Sequence, residues 1–253
     1  MEESRERDEG KLNGDVKLHT PFTERLENYW YHYKWHTIVA VFVLVVLLVV
    51  GLQMCSKESY DAYVLYAGDK ELERDSKNGE IPLYNTVLSS LGRVAEDYNG
   101  DGETLISLTT LLALTSEQIK DAENNPDLEV NYGLLQSDRQ TLEDRMLYSE
   151  YYVCLLSPEV YEDFKTVNDV RIFANLAPYA PESSSLEYYS ESAIKLSSTD
   201  FYKLPGISQL PEDTLICLRL SSAVADAFGG EKNAENFKHA EDIVRNMLSY
   251  KAK

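Results

Sequence analysis

Hydrophobic and polar positions follow two different patterns along the chain, and the boundary lies near residue 56. Before it, the run TIVAVFVLVVLLVVGLQM contains no charged residue. As a helix it would extend about 27 Å at about 1.5 Å per residue, close to the ~30 Å hydrocarbon core of a bilayer. A helix in the core of a soluble protein has a polar face, and this run has none. The pattern therefore predicts a transmembrane helix over residues 37–54, in contact with the lipid bilayer.

Aromatic residues crowd into the segment just before this run, ENYWYHYKWH, which indicates an interfacial belt at the level of the lipid headgroups. Within about 15 residues of the run, the N-terminal side carries Arg25 and Lys34, and the C-terminal side carries Lys57. This bias favours a short cytoplasmic tail over residues 1–36 and an extracytoplasmic domain at the cell membrane. A window of about 20 residues removes the bias.

The exit of the apolar run, GLQMCSKES, lacks the small-x-small pattern of a signal-peptide cleavage site. Cys55 follows Gln53 and Met54, where a lipoprotein signal has small residues. We therefore expect an uncleaved anchor, then a tether over residues 55–60 and one folded domain over residues 61–253.

After residue 60, short apolar runs alternate with amphipathic stripes. The predicted strands are DAYVLYAGD, TLISLTTLLAL and YYVCLLS, followed later by SAIKLSS and DTLICLRL; the predicted helices are IPLYNTVLSSLGRVAEDY, NNPDLEVNYGLLQSDRQTLEDRML, PEVYEDFK and KNAENFKHAEDIVRNML. In the second helix Asn125 is the expected N-cap and Pro126 the first helical residue, and Ser157 is the expected N-cap of PEVYEDFK. The apolar stripe of the last helix comprises Phe237, Ala240, Val244 and Met247. Alternation of strand and helix predicts a three-layer α/β domain with a mostly parallel sheet of about five strands.

The charge of the chain is strongly acidic, with a formal balance of −19. Residues 57–253 hold 35 of the 43 acidic residues and 18 of the 24 basic ones, a balance of −17. Such a surface repels phosphate backbones, so we expect no binding of nucleic acid.

The stretch DRMLYSEYYVCLLSPEVYEDF, with ANLAPY after it, resembles one lobe of the bacterial extracellular solute-binding proteins, which have the type II periplasmic-binding fold. The segment NYWYHYKWHTI is similar to the anchor of small single-pass membrane proteins from Gram-positive bacteria. The resemblance covers roughly residues 61–220 and implies a solute-binding-like α/β lobe. Solute-binding proteins have two lobes with a cleft between them, whereas this domain has room for one, so no binding residues carry over.

The loop DYNGDGETLISL places acidic and amide side chains at alternate positions, as an EF-hand loop does. Asp97, Asn99 and Asp101 occupy positions 1, 3 and 5, and Glu103 occupies position 7. Position 12 needs a bidentate Glu and is Leu108. Two interpretations stay open: a weak calcium loop with ligands Asp97, Asn99, Asp101 and Glu103, and a metal-free turn that ends the preceding helix. Calcium is the only cofactor that the sequence suggests.

Familiar catalytic groupings are missing from the sequence. Beyond the apolar run His239 is the only histidine, which makes a nucleophile–histidine pair or a histidine-rich zinc site hard to assemble. Acidic pairs such as Asp138 with Glu143 or Asp144 suit a solvated face, and they also leave an acid-pair hydrolase open. We expect no catalytic residues.

Three functions remain. The first is a membrane-anchored extracytoplasmic binding or interaction module, noncatalytic, with a small ligand or a membrane protein as its partner. The second is a structural subunit of a membrane complex, which the absence of a GxxxG motif from the apolar run weakens. The third is the acid-pair hydrolase. Buried free thiols are expected at Cys154 and Cys217, although a disulfide between them is the alternative.

Overall fold

The computed structural model describes residues 21–55, 60–76, 80–125, 131–182, 185–221 and 223–252. The chain divides into two compact units, Met1–Glu58 and Ser59–Lys253. The predicted tail of residues 1–36 lies largely outside the described residues, and so does most of the predicted tether.

The first unit contains one long helix, α1 (Pro21–Cys55). Its window Tyr29–Gly51 is long and apolar enough to cross a membrane, and none of that window is buried against other parts of the protein. The helix begins well before Thr37, where the charge-free run begins, because the aromatic belt continues the helix. At about 1.5 Å per residue its 35 residues extend about 52 Å.

The second unit mixes strands and helices. The strands are β1 (Ala62–Gly68), β2 (Ile106–Leu112), β3 (Val153–Leu156), β4 (Thr166–Val167), β5 (Val170–Arg171), β6 (Tyr188–Ser190), β7 (Ala193–Lys195) and β8 (Leu215–Leu218). The helices are α2 (Leu83–Leu91), α3 (Ser116–Glu123), α4 (Tyr132–Tyr148), α5 (Pro158–Phe164) and α6 (Ala223–Ser249), and short 3-10 turns lie between β5 and β8.

Six strands form one mixed sheet in the order β2-β1-β3-β8-β7-β6, so the prediction of a mostly parallel sheet of about five strands was wrong. β1 pairs in parallel with both β2 and β3, because helices connect these strands. β8 pairs antiparallel with β3 and β7, and β7 pairs antiparallel with β6. No α-helix lies between β6, β7 and β8 in the described chain, so hairpin and 3-10 connections return each strand in the opposite direction.

Alternate residues of β1 enter two different hydrophobic clusters. Val64 and Tyr66 pack with residues of α2 and α6, whereas Leu65 and Ala67 pack with residues of α4 and α5. A strand that is buried on both faces needs a continuous apolar sequence, which explains why AYVLYA shows no polar alternation. The predicted stripe of α6 is confirmed by Ala240, Val244 and Met247, which are all buried.

Two predicted helices have different limits. α2 ends at Leu91, and Gly92 follows it as the C-cap, so the predicted continuation to Tyr98 was wrong. The helix that we expected to begin after Asn125 is α4, which begins at Tyr132; the side chain of Asn131 caps it by accepting a hydrogen bond from the backbone N–H of Leu134. Pro126 lies outside the described residues. The sequence reading also missed α3, β4, β5 and β6.

Candidate functional site

The carboxyl ends of the parallel strands meet at one edge of the sheet. Just beyond β2, the backbone N–H of Ala113 donates to the carbonyl oxygen of Gly68 at 2.8 Å, and just beyond β3, that of Ser157 donates to Ala67 at 2.9 Å. In open α/β sheets ligands bind beyond the carboxyl ends of the strands. This edge is therefore the first place to seek a site.

Two helices begin at this edge. Thr115 caps α3 in a capping box: its Oγ1 accepts from the backbone N–H of Gln118, and its own N–H donates to Gln118 Oε1. Gln118 Nε2 also donates to Asp69 Oδ2 at 2.9 Å, which fixes α3 to the residue after β1. Ser157 caps α5 by accepting from the N–H of Val160, which confirms the predicted cap. The starts of α3 and α5 thus face the same region.

The third helix of this region, α4, is attached to the end of β2. The backbone N–H of Leu112 donates to Asp138 Oδ2 at 2.8 Å. Asp138 is one of the acids of the predicted pairs, and it satisfies a polar group at the edge strand. Leu142 and Met146, in the second half of α4, are its buried residues.

Between α3, α4 and α5 lies a cleft of about 570 Å³. We call it the carboxyl-edge cleft. Its apolar floor comprises Leu112, Ile119, Leu135, Leu142 and Val160, and its polar rim comprises Ser116, Gln136, Arg139, Glu159 and Asp163. Small-molecule sites in proteins occupy about 300–1,000 Å³ and combine an apolar lining with a few polar groups. The cleft has the size and the lining of such a site.

The charges at the rim are unevenly paired. Arg139 Nη1 lies 3.1 Å from Asp163 Oδ2, and Arg139 Nε lies 3.2 Å from Glu143 Oε1. Two carboxylates therefore share the one guanidinium. Glu159 makes neither an ion pair nor a hydrogen bond within the described residues. The rim thus carries an excess of negative charge.

The predicted calcium ligands lie together in one loop, and backbone groups already occupy most of them. Asp97 Oδ1 accepts from the N–H of Gly100 at 2.7 Å, and its Oδ2 accepts from that of Gly102 at 2.8 Å. Asn99 Oδ1 accepts from Asp101 N, and Asp101 Oδ1 accepts from Glu103 N. These bonds form a turn that needs no metal to close.

Glycine is required at two positions of this loop. Gly100 has φ of 73° and Gly102 has φ of 92°, a left-handed region that other residues enter at a cost. Among the described residues, no group of three or more His, Cys, Asp and Glu side chains is placed to hold a metal ion. A carboxylate offers about four lone-pair sites, so Asp97 keeps capacity for a cation. Calcium binding at this loop stays a prediction.

Sequence reasoning missed the residue that holds this loop in place. Asp61 is 3% exposed and accepts three backbone hydrogen bonds: Oδ1 from Tyr98 and Asn99 at 2.8 and 3.0 Å, and Oδ2 from Leu105 at 2.8 Å. A buried carboxylate is stable when several donors surround it. The sequence signal that could have indicated this role is the position of Asp61, an acidic residue directly before the apolar run of β1.

His239 has a packing role. Its ring stacks on that of Tyr98, with 4.1 Å between centroids and 9° between planes. Within the described residues, His239 Nδ1 and the Tyr98 hydroxyl have no hydrogen-bond partner. Burial, together with the nearby carboxylates of Asp242 and Glu96, raises the pKa of Tyr98 to about 12. No Ser hydroxyl or Cys thiol is seen bonded to His239 in the described chain.

No family model matches this chain, and no curated protein or solved structure shows significant similarity to it. The resemblance to a solute-binding lobe therefore stays a prediction, and the geometry of the cleft has to support any function.

Proposed function

We propose that this protein is a membrane-anchored, noncatalytic binding module whose extracytoplasmic domain takes a small ligand in the carboxyl-edge cleft. The observation that carries the proposal is the cleft itself: about 570 Å³ of space at the carboxyl edge of the parallel strands, with an apolar floor and a charged rim. A cleft of this volume can enclose most of the surface of a small molecule.

Two further features support the proposal. α1 includes one window, Tyr29–Gly51, that is long and apolar enough to cross a membrane. Trp30 and Trp35 lie near the start of this window, where an aromatic belt at the level of the lipid headgroups is expected. The two hydrophobic clusters that share β1 favour a three-layer domain and a solute-binding-like lobe. In this scheme α1 anchors the domain to the cell membrane with the N-terminus in the cytoplasm.

A thermal-shift screen of the full-length protein in nanodiscs tests the proposal. The panel comprises amino acids and their amides, sugars, dipeptides and divalent metal ions. We expect at least one class of compound to raise the Tm of the wild type. The same class should leave the Tm of Leu135→Trp unchanged, because an indole at position 135 fills the cleft.

The matched control is Ser137→Trp, which adds the same ring to an exposed position of α4 that does not line the cleft. We expect this variant to respond as the wild type does. A panel in which no compound raises the Tm of the wild type, or a response that Leu135→Trp retains, would contradict binding in the cleft.

A further inference from the structure

We propose that the carboxyl-edge cleft selects small apolar molecules that carry a protonated amine. This inference rests on the proposed binding function and adds the chemical class of the ligand. Three observations carry it: the composition of the floor, the pairing of the charges at the rim, and the acids near the start of α3.

The floor determines the apolar part of the ligand. Ile119, Leu135 and Val160 come from three different helices and line the same cleft as Leu112 at the end of β2. Ile119 and Leu135 are only half-buried, so each keeps apolar surface that a ligand would remove from water. Removal of apolar surface from water favours binding. A branched or aromatic side chain of four to seven carbons, about the size of these residues, is the expected match.

The rim determines the charge of the ligand. Among the described residues that line the cleft, Arg139 is the one cation, and both Asp163 and Glu143 are paired with it. Glu159 faces the cleft without an ion pair or a hydrogen bond in the described chain, so its carboxylate is free to accept from an ammonium group. The balance of −17 over residues 57–253 adds a long-range attraction for cations.

The start of α3 does not favour an anionic ligand. The positive end of a helix dipole favours anions, and α3 begins at the cleft. However, the first turn of α3 already contains the acid Glu117, and Glu159 of α5 lines the cleft itself. Both carboxylates oppose a further negative charge at this end of the cleft.

Three leucine derivatives that share one side chain and differ in charge provide the test. Leucinamide carries an ammonium group at pH about 6.5, below the ~7.7–8.0 pKa of an α-amino group. N-acetyl-leucinamide is neutral, and N-acetyl-leucine is an anion. With the full-length protein in nanodiscs, titration calorimetry is expected to show leucinamide binding about tenfold more tightly than N-acetyl-leucinamide, and N-acetyl-leucine binding most weakly.

Two variants of α5 assign the charge selection to one carboxylate. Glu159→Gln keeps the shape of the side chain, and we expect it to weaken leucinamide binding about tenfold without changing the binding of N-acetyl-leucinamide. Glu162→Gln is the control, because Glu162 pairs with Lys165 and does not line the cleft. We expect it to bind all three compounds as the wild type does.

The outcomes separate this inference from the function on which it rests. The inference is overturned if N-acetyl-leucine binds as tightly as leucinamide, or if Glu159→Gln leaves leucinamide binding unchanged. If none of the three derivatives binds while Leu135→Trp abolishes the response to another compound, the amine class is wrong and the cleft remains a binding site. If leucinamide binds equally well to Leu135→Trp, the cleft is wrong as well.

Discussion

Cys154 lies directly opposite Cys217 in the antiparallel pairing of β3 with β8, and both are free thiols. Tyr152, just before β3, accepts a backbone hydrogen bond at 2.7 Å from Arg219, just after β8. Because hydrogen-bonded and non-hydrogen-bonded pairs alternate in an antiparallel ladder, Cys154 and Cys217 are also a hydrogen-bonded pair. The Cβ atoms of such pairs are about 5.5 Å apart, whereas a disulfide needs about 3.5–4.5 Å. The register therefore favours thiols even in an oxidising compartment.

We predict that both thiols are unreactive in the folded protein. Burial raises the pKa of Cys154 to about 12 and also raises the pKa of Cys217, so little thiolate exists at neutral pH. Alkylation followed by peptide mass spectrometry checks this. Both residues should resist iodoacetamide in the native protein and be modified after unfolding without a reductant. If modification of the unfolded chain requires a reductant, the two cysteines form a disulfide.

Arg219 is expected to be important for stability. Its side chain is 1% exposed, its guanidinium donates to the carbonyl oxygens of Ser149 and Tyr151, and burial lowers its pKa. Arg219→Met would leave these carbonyls without their donors and should cost about 3 kcal/mol in the free energy of unfolding, as measured by urea titration. Arg171→Met is the control, since its exposed pair with Glu191 contributes about 0–1 kcal/mol. Equal losses in the two variants would contradict this role.

Removal of the Asp61 carboxylate should release the acidic loop. We expect Asp61→Ala to cost about 3 kcal/mol, because three backbone N–H groups lose a charged acceptor. Glu96→Ala, at an exposed position near the loop, should change the free energy of unfolding by less than about 0.5 kcal/mol. Hydrogen exchange gives a local readout: the N–H of Leu105 should exchange faster in Asp61→Ala. Unchanged protection would show that Asp61 does not hold the loop.

Calcium binding at Asp97, Asn99, Asp101 and Glu103 is tested by thermal melting. The missing carboxylate at position 12 predicts weak affinity, with a Kd of about 10⁻³ M. About 10 mM calcium would then stabilise the folded protein by about 1.4 kcal/mol relative to chelator. Asp97→Ala should lose this difference. The same Tm in calcium and in chelator for the wild type would leave the metal-free turn as the correct interpretation.

The positions of five strands could be predicted from the sequence, because each is a short apolar run with turn residues at its ends. Their directions could not. The rule that alternation gives parallel strands holds for β1, β2 and β3, where helices intervene, and fails for β6, β7 and β8. β6 gave no signal, since Tyr188 and Tyr189 are exposed and Ser190 is polar.

The site was less predictable than the fold. The acidic loop is local, so its spacing was visible in the sequence, as was the cap of α5 at Ser157. The cleft depends on tertiary contacts: Leu112, Ile119, Leu135 and Val160 belong to four elements, and no local pattern unites them. α3 buries none of its residues, so its apolar stripe was too weak to indicate a helix.

The proposed anchor requires α1 to keep the chain in the membrane. The most direct measurement is the intact mass of the chain in the membrane fraction that resists an alkaline carbonate wash. For a chain expressed as residues 1–253, we predict retention in the membrane at its full mass of 28.8 kDa. Release of the chain into the wash, or a smaller mass that corresponds to a start near residue 55, would contradict the anchor.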